Sequence, residues 1–193
     1  MLIEKDKSSL VIIDVQEKLV SVIPKPHTFI DNIIKLQKAA KVLDIITVAT
    51  EQYPEGLGET IGKIMETFNE QKKHQYPIGH GSIKGYRGNT LFPKTEFSSN
   101  KYVFSQIREH PIICGIEAHV CVLQTAIELA DKKKKVYVVQ DAIASRNEKD
   151  YLTALSRMDK YPNIQIVTCE MVLFEWLRSS DHPEFKTISQ LIK

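Results

Sequence analysis

Cys121 stands where a cysteine can be made nucleophilic. The residues before it, Ile112-Ile113-Cys114-Gly115-Ile116-Glu117-Ala118-His119-Val120, read as a strand, a glycine turn and the approach to a helix. A helix start offers unsatisfied N–H groups and the positive end of the macrodipole, which lower a thiol pKa and can hold an oxyanion. The same position also fits a small cysteine buried under a sheet. Cys114 and Cys169 fall inside or at the end of expected strands, where packing accounts for both. Asp14 directly follows the apolar run 10–13. Ligands of an open parallel sheet bind beyond the carboxyl ends of its strands, so a carboxylate there is placed to act as acid or base. It is equally well placed to cap the following turn. Lys94, within Phe92-Pro93-Lys94-Thr95-Glu96-Phe97-Ser98, carries no spacing signal and by itself reads as a solvated lysine.

Something must bring these three residues together, and the apolar pattern says what. Short apolar runs alternate with longer amphipathic segments, the signature of βα units around a parallel sheet. Strands are expected at 10–13, 45–49, 111–114, 136–139 and 164–168, in a sheet of about six. Helices are expected at 27–43, 58–68, 121–131, 148–158 and 171–177. Leu10, Val11, Ile12 and Ile13 form the continuous apolar run, β-branched from Val11 on, of a strand covered on both faces. The segment 74–89 holds four glycines with Lys84, Arg87, His74 and His80, and its lack of apolar periodicity makes it a loop. The lysine run 132–135 reads as a solvated turn between helix and strand, with a weak anion contact as the other use.

The 193 residues suit one domain with one continuous core. A net charge of +2 is too small to argue for nucleic acid or an acidic membrane on global electrostatics. Three cysteines without paired ligand spacing favour free thiols in a reducing compartment, hence an intracellular protein, cytoplasmic or in an organelle matrix. No stretch has the apolar length of a secretory leader or a membrane span, so no membrane partner is expected.

Four segments taken together resemble the isochorismatase-like cysteine hydrolases, a superfamily that includes nicotinamidases and N-carbamoyl amidohydrolases. They are Val11-Ile12-Ile13-Asp14-Val15-Gln16, Lys94-Thr95-Glu96-Phe97-Ser98, the stretch from Cys114 through Cys121 to Val122, and Val138-Val139-Gln140-Asp141-Ala142-Ile143-Ala144-Ser145-Arg146. The resemblance implies a three-layer, Rossmann-like α/β fold with a mostly parallel sheet in the order 3-2-1-4-5-6, formed as one domain over 1–193 with an inserted loop at about 72–90. It assigns Asp14, Lys94 and Cys121 to a catalytic triad. It also implies a cis peptide between Ile116 and Glu117, with the N–H groups of Glu117 and Cys121 aimed at an oxyanion. Gln16 and Phe97 fall on the substrate side.

Nicotinamidases carry a metal-binding Asp-x-His pattern after the second strand. Here those positions read Glu51-Gln52-Tyr53, and the stretch Thr50 to Gly58 looks instead like the eukaryotic isochorismatase domain-containing proteins. No cofactor and no metal are therefore expected. The implied function is a cysteine hydrolase cutting a small-molecule amide or related C–N bond through a thioester, in a homo-oligomer such as a dimer or tetramer. The alternative is a family member that acts mainly as an oligomeric binding or RNA-associated protein, carried by the basic residues at 72–87 and 132–135. True isochorismate hydrolysis, a vinyl-ether cleavage, gives Cys121 no evident covalent task.

Overall fold

The computed structural model describes residues 1–69 and 89–192. Its strands are β1 (Ser8–Ile13), β2 (Ile46–Gln52), β3 (Thr90–Lys94), β4 (His110–Ile116), β5 (Val136–Ala144) and β6 (Ile164–Val167). Helices α1 (Glu17–Val20), α2 (His27–Val42), α3 (Pro54–Leu57) and α4 (Gly62–Asn69) precede β3. They are followed by α5 (Asn100–Val103), α6 (Leu123–Asp131), α7 (Glu148–Asp159), α8 (Cys169–Leu177) and α9 (Phe185–Ser189). All neighbouring strand pairs are parallel, in the order β3-β2-β1-β4-β5-β6. This is the order the resemblance implies. The expected loop at about 72–90, with His74, His80, Lys84 and Arg87, lies almost wholly outside the described residues.

The buried run of β1 explains the layering. Leu10 and Ile12 point into one core cluster, with Phe29, Ile33 and Leu36 of α2 and Val172, Leu173 and Trp176 of α8. Val11 and Ile13 point into the other, with Ala126 and Leu129 of α6 and Ala154 and Met158 of α7. Successive strand residues face opposite sides, so a sheet covered twice needs apolar residues at every position. Trp176 is fully enclosed, and its indole N–H donates to Ser8 Oγ at 3.0 Å, so it belongs to the core. Among the described residues no helix is long and apolar enough to cross a membrane.

Strand order reverses between β1 and β4, and the crevice at their carboxyl ends is where a parallel sheet binds ligands. Gly115 makes the close approach of these two strands possible. Its φ is +117°, and a Cβ there would lie 2.0 Å from the Ile13 carbonyl oxygen. Only glycine tolerates both conditions.

Several elements depart from the sequence expectation. β3 was absent from the expected strands: it is an edge strand whose Pro93 cannot donate to a ladder, a residue that normally argues against a strand. β5 runs on through Asp141 to Ala144. The single helix expected at 58–68 is interrupted, because Gly58 takes a φ of +82° and Thr60 pairs with Gln16 before α4 begins at Gly62. Cys169 opens α8 rather than ending β6, since the Thr168 hydroxyl accepts from Met171 N and caps the helix one residue earlier.

Candidate active site

Asp14, Lys94 and Cys121 come from the ends of β1, β3 and the turn after β4, and they meet. Asp14 has a φ of +51°, which turns the chain sharply at the end of β1, and its N–H donates to the Thr50 carbonyl at 3.1 Å. Its carboxylate is fully buried. Lys94 Nζ lies 2.7 Å from Asp14 Oδ2, and both side chains are closed off from solvent. The Cys121 thiol stands close enough to feel both groups, the Asp14 carboxylate raising its pKa and Lys94 lowering it. The lysine that reads as solvated in the sequence is thus one of the most deeply buried charges in the molecule.

Burial of such a charge is tolerable only when it is paired and hydrogen-bonded. Lys94 Nζ meets that demand with Asp14 Oδ2, with Gln52 Oε1 at 2.7 Å, and with the carbonyls of Phe97 and Glu96 at 3.0 and 3.2 Å. Phe97, expected on the substrate side, gives its backbone carbonyl to Lys94, while its ring is more than half exposed. Asp14 Oδ1 accepts from Thr50 Oγ1 at 2.7 Å. Desolvation nevertheless raises the Asp14 pKa above its ordinary value, against the lowering effect of Lys94, Thr50 and Cys121.

Cys121 sits in a single wide helical turn, Ala118–Val122, immediately before α6. Its thiol is pushed up to about 12, first by burial and then by the neighbouring Asp14 charge, while Lys94 pulls the other way. This reverses the sequence expectation of a lowered thiol pKa. A helix start lowers a thiol pKa when the sulfur remains solvated, and here Cys121 is only 5% exposed with a carboxylate beside it. The resting thiol therefore keeps its proton at neutral pH. Cys114 and Cys169 are also buried with raised pKa values; the Cys114 thiol has only Cys169 as its electrostatic neighbour, while Asp141 and Lys35 act on Cys169.

The Ile116–Glu117 peptide bond is cis. The Glu117 side chain leaves this turn toward the end of β5, where its Oε1 accepts from Arg146 N at 3.3 Å and lies 3.3 Å from Arg146 Nε. Gln16 is fully buried and its amide is spent on backbone: Nε2 donates to the carbonyls of Gln52 and Gly58, and Oε1 accepts from Gln52 N at 2.7 Å. It shapes the floor beneath the site by pinning the end of β2. Two residues that the sequence did not single out are Thr50 and Gln52. Their signal was present, because both lie in the last three residues of the strand beside β1, one register step from Asp14.

Comparisons with known proteins show the family and the fold. The family model described as the Isochorismatase domain matches residues 8–170. The chain belongs to the isochorismatase family. It is 32% identical over 191 residues to the isochorismatase domain-containing protein 2 of Bos taurus, covering 96% of this chain and 83% of the relative. A solved structure described as MAR1 ribonuclease from Caenorhabditis elegans superposes with a TM-score of 0.84 at 34% identity, over 100% of this chain and 92% of that one. The YcaC gene product of Escherichia coli, described as an octameric hydrolase of unknown specificity, gives a TM-score of 0.83 at 20% identity, over 100% and 89% of the two chains. The isochorismatase-family hydrolase fold is thereby shown for this chain.

Glu51 and Gln52, the last two residues of β2, are both engaged within the protein. Glu51 is buried, with Oε1 accepting from both Thr60 N and Thr60 Oγ1 at 2.6 and 2.7 Å. Gln52 is committed to Lys94, and no histidine is adjacent. Among the described residues no three His, Cys, Asp or Glu side chains cluster as metal ligands would.

Proposed function

We propose that this protein is a cysteine hydrolase that cleaves a small-molecule amide or related C–N bond through a thioester on Cys121. The observation that carries the proposal is the meeting of a buried carboxylate, a buried ammonium and a thiol at the carboxyl ends of β1, β3 and β4. In the first step Asp14 takes the Cys121 proton as sulfur attacks the substrate carbonyl carbon. The carbonyl oxygen becomes an oxyanion, received by the N–H groups of Glu117 and Cys121. Lys94 keeps the site near neutral overall while the negative charge moves from Asp14 to sulfur and then to oxygen. Collapse of the intermediate breaks the C–N bond, and protonated Asp14 gives its proton to the leaving nitrogen. Asp14 then accepts a proton from water as water attacks the thioester, the C–S bond breaks, and the proton returns to Cys121.

A thiol that stays protonated at rest fits this sequence. It becomes nucleophilic as Asp14 takes its proton, whether the electrophile is a substrate carbonyl or an alkylating reagent. The protein assembles as a homo-oligomer in this reading, in line with the octameric description of the Escherichia coli protein.

The ribonuclease name of the Caenorhabditis elegans structure makes RNA the second substrate class to test. The lysine run at 132–135 gives it limited support. Lys132 and Lys134 both stand 4.8 Å over the Phe104 ring, and Lys134 Nζ donates to the carbonyls of Ile107 and Arg108, so part of this charge holds a turn in place.

The test is incubation with a panel of small carboxamides, an acid quench, and mass mapping of the protein together with assay of released ammonia. An acyl mass on Cys121 with ammonia release, both lost in Cys121→Ala, is expected. Ammonia release that survives in Cys121→Ala would reject the covalent route, and RNA cleavage that requires Cys121 would replace the substrate class.

A further inference from the structure

Ser99 and Thr50 are buried hydroxyl residues that the mechanism above does not use, at 0% and 1% exposure. Resting on the proposed role of Asp14 as base, we propose that they form a one-way hydroxyl relay that holds the Asp14 carboxylate in its proton-accepting form and orientation. Both are positioning residues in this scheme.

The direction follows from counting protons. Thr50 Oγ1 donates its single proton to Asp14 Oδ1 at 2.7 Å. The 3.2 Å contact between Thr50 Oγ1 and Ser99 Oγ must then be donated by Ser99. Reversing the chain would require Asp14 to donate to Thr50, Thr50 to Ser99, and Ser99 to a further acceptor. Among the described residues the Ser99 hydroxyl meets no such acceptor. The network therefore runs toward an ionised Asp14. The other charged or titratable groups facing that carboxylate are Lys94 from β3 and Cys121 from the turn after β4. With Thr50 on Oδ1 and Lys94 on Oδ2, each carboxylate oxygen keeps a lone pair free to take the thiol proton.

The same serine reaches the nucleophile through its backbone. Ser99 N donates to Thr125 Oγ1 at 2.8 Å, and Thr125 Oγ1 donates to the Cys121 carbonyl at 2.6 Å. Ser99 is thus the residue at which the support of the base and the support of the nucleophile's turn join. A displacement of either end is felt by the other through four hydrogen bonds, all in the buried interior.

The experiment is the pH dependence of Cys121 alkylation by iodoacetamide, followed by mass mapping in the full chain and in Thr50→Val, Thr50→Ser and Ser99→Ala. Cys121 and Asp14 titrate as a coupled pair, so the first rise in rate reports Asp14 ionisation. In Thr50→Val that midpoint is expected to move up by about one pH unit, the worth of one hydrogen bond to a charged group. The plateau above it is expected to be no lower, because a more basic carboxylate draws the thiol proton at least as well. Thr50→Ser should restore the wild-type profile, and Ser99→Ala should move it the same way by less. A merely structural role would lower the whole curve without moving its midpoint. An unmoved midpoint in both Thr50→Val and Ser99→Ala overturns the relay. A wild-type profile with no rise before the thiol's own ionisation overturns the role of Asp14 itself, so the two failures are distinguishable.

Discussion

Replacing Lys94 with methionine tests the electrostatics of the site in a way that needs no substrate. Lys94→Met keeps most of the side-chain volume but leaves Asp14 without its countercharge, and leaves Gln52 Oε1 and the carbonyls of Glu96 and Phe97 without their shared donor. Breaking a buried ion pair by removing one partner costs about 3–5 kcal/mol. A domain of this size has roughly 5–15 kcal/mol of stability, so the variant should still fold. The cost should also depend on pH. The folded-state pKa of Asp14 is already raised by burial, so its contribution to stability is fully present below its unfolded value of 3.8 and is lost as pH rises through the folded value. Without Lys94 the folded value rises further, and the loss extends over a wider window toward neutral pH. Urea unfolding at pH 5 and pH 7.5 reads this directly. The difference between wild type and variant should be about 3–5 kcal/mol at the higher pH and shrink to about 1–2 kcal/mol at the lower, where Asp14 can protonate. In the double variant Asp14→Asn/Lys94→Met the two costs should be less than additive by at least about 2 kcal/mol. A difference that is equal at both pH values and additive in the double variant would refute the buried pair.

Other consequences are as specific. Gly115→Ala should destabilise the fold by about 3 kcal/mol or more in urea unfolding, since the added Cβ meets the Ile13 carbonyl and the backbone holds a positive φ; a loss under about 1 kcal/mol would contradict the close approach of β1 and β4. Gln52→Leu removes one of the acceptors that hold Lys94 and should slow amide turnover about tenfold with little change in KM; a change confined to KM would place Gln52 on the substrate instead. Dialysis against a chelator should leave turnover unchanged, because Glu51 is engaged with Thr60; activity that is lost and then restored by zinc would reverse that conclusion.

The sequence carries the fold well where a physical demand repeats along the chain. Leu10 through Ile13 must be apolar at every position to be covered on both faces, and that run alone points to a central parallel strand. β3 escapes the same reasoning because an edge strand needs neither double burial nor a donor at every residue, and Pro93 hides it further. The site residues are legible by order and resemblance rather than by local chemistry. Nothing near Lys94 in sequence betrays its burial, since its partners Asp14 and Gln52 come from other strands. The Cys121 thiol shows the limit most clearly: its place before a helix argues for a lowered pKa, and burial beside Asp14, visible only in three dimensions, reverses the sign. Gln16 likewise reads as a substrate contact until its whole amide is found bonded to backbone.

The most direct test of the central claim is the rate at which iodoacetamide labels each cysteine of the native protein at pH 7.5, in wild type and in Asp14→Asn. Cys121 should label well ahead of Cys114 and Cys169, and its rate should fall at least about tenfold when Asp14 loses its basicity. Equal labelling of the three cysteines, or a Cys121 rate indifferent to Asp14, would contradict the assignment of a base-activated nucleophile.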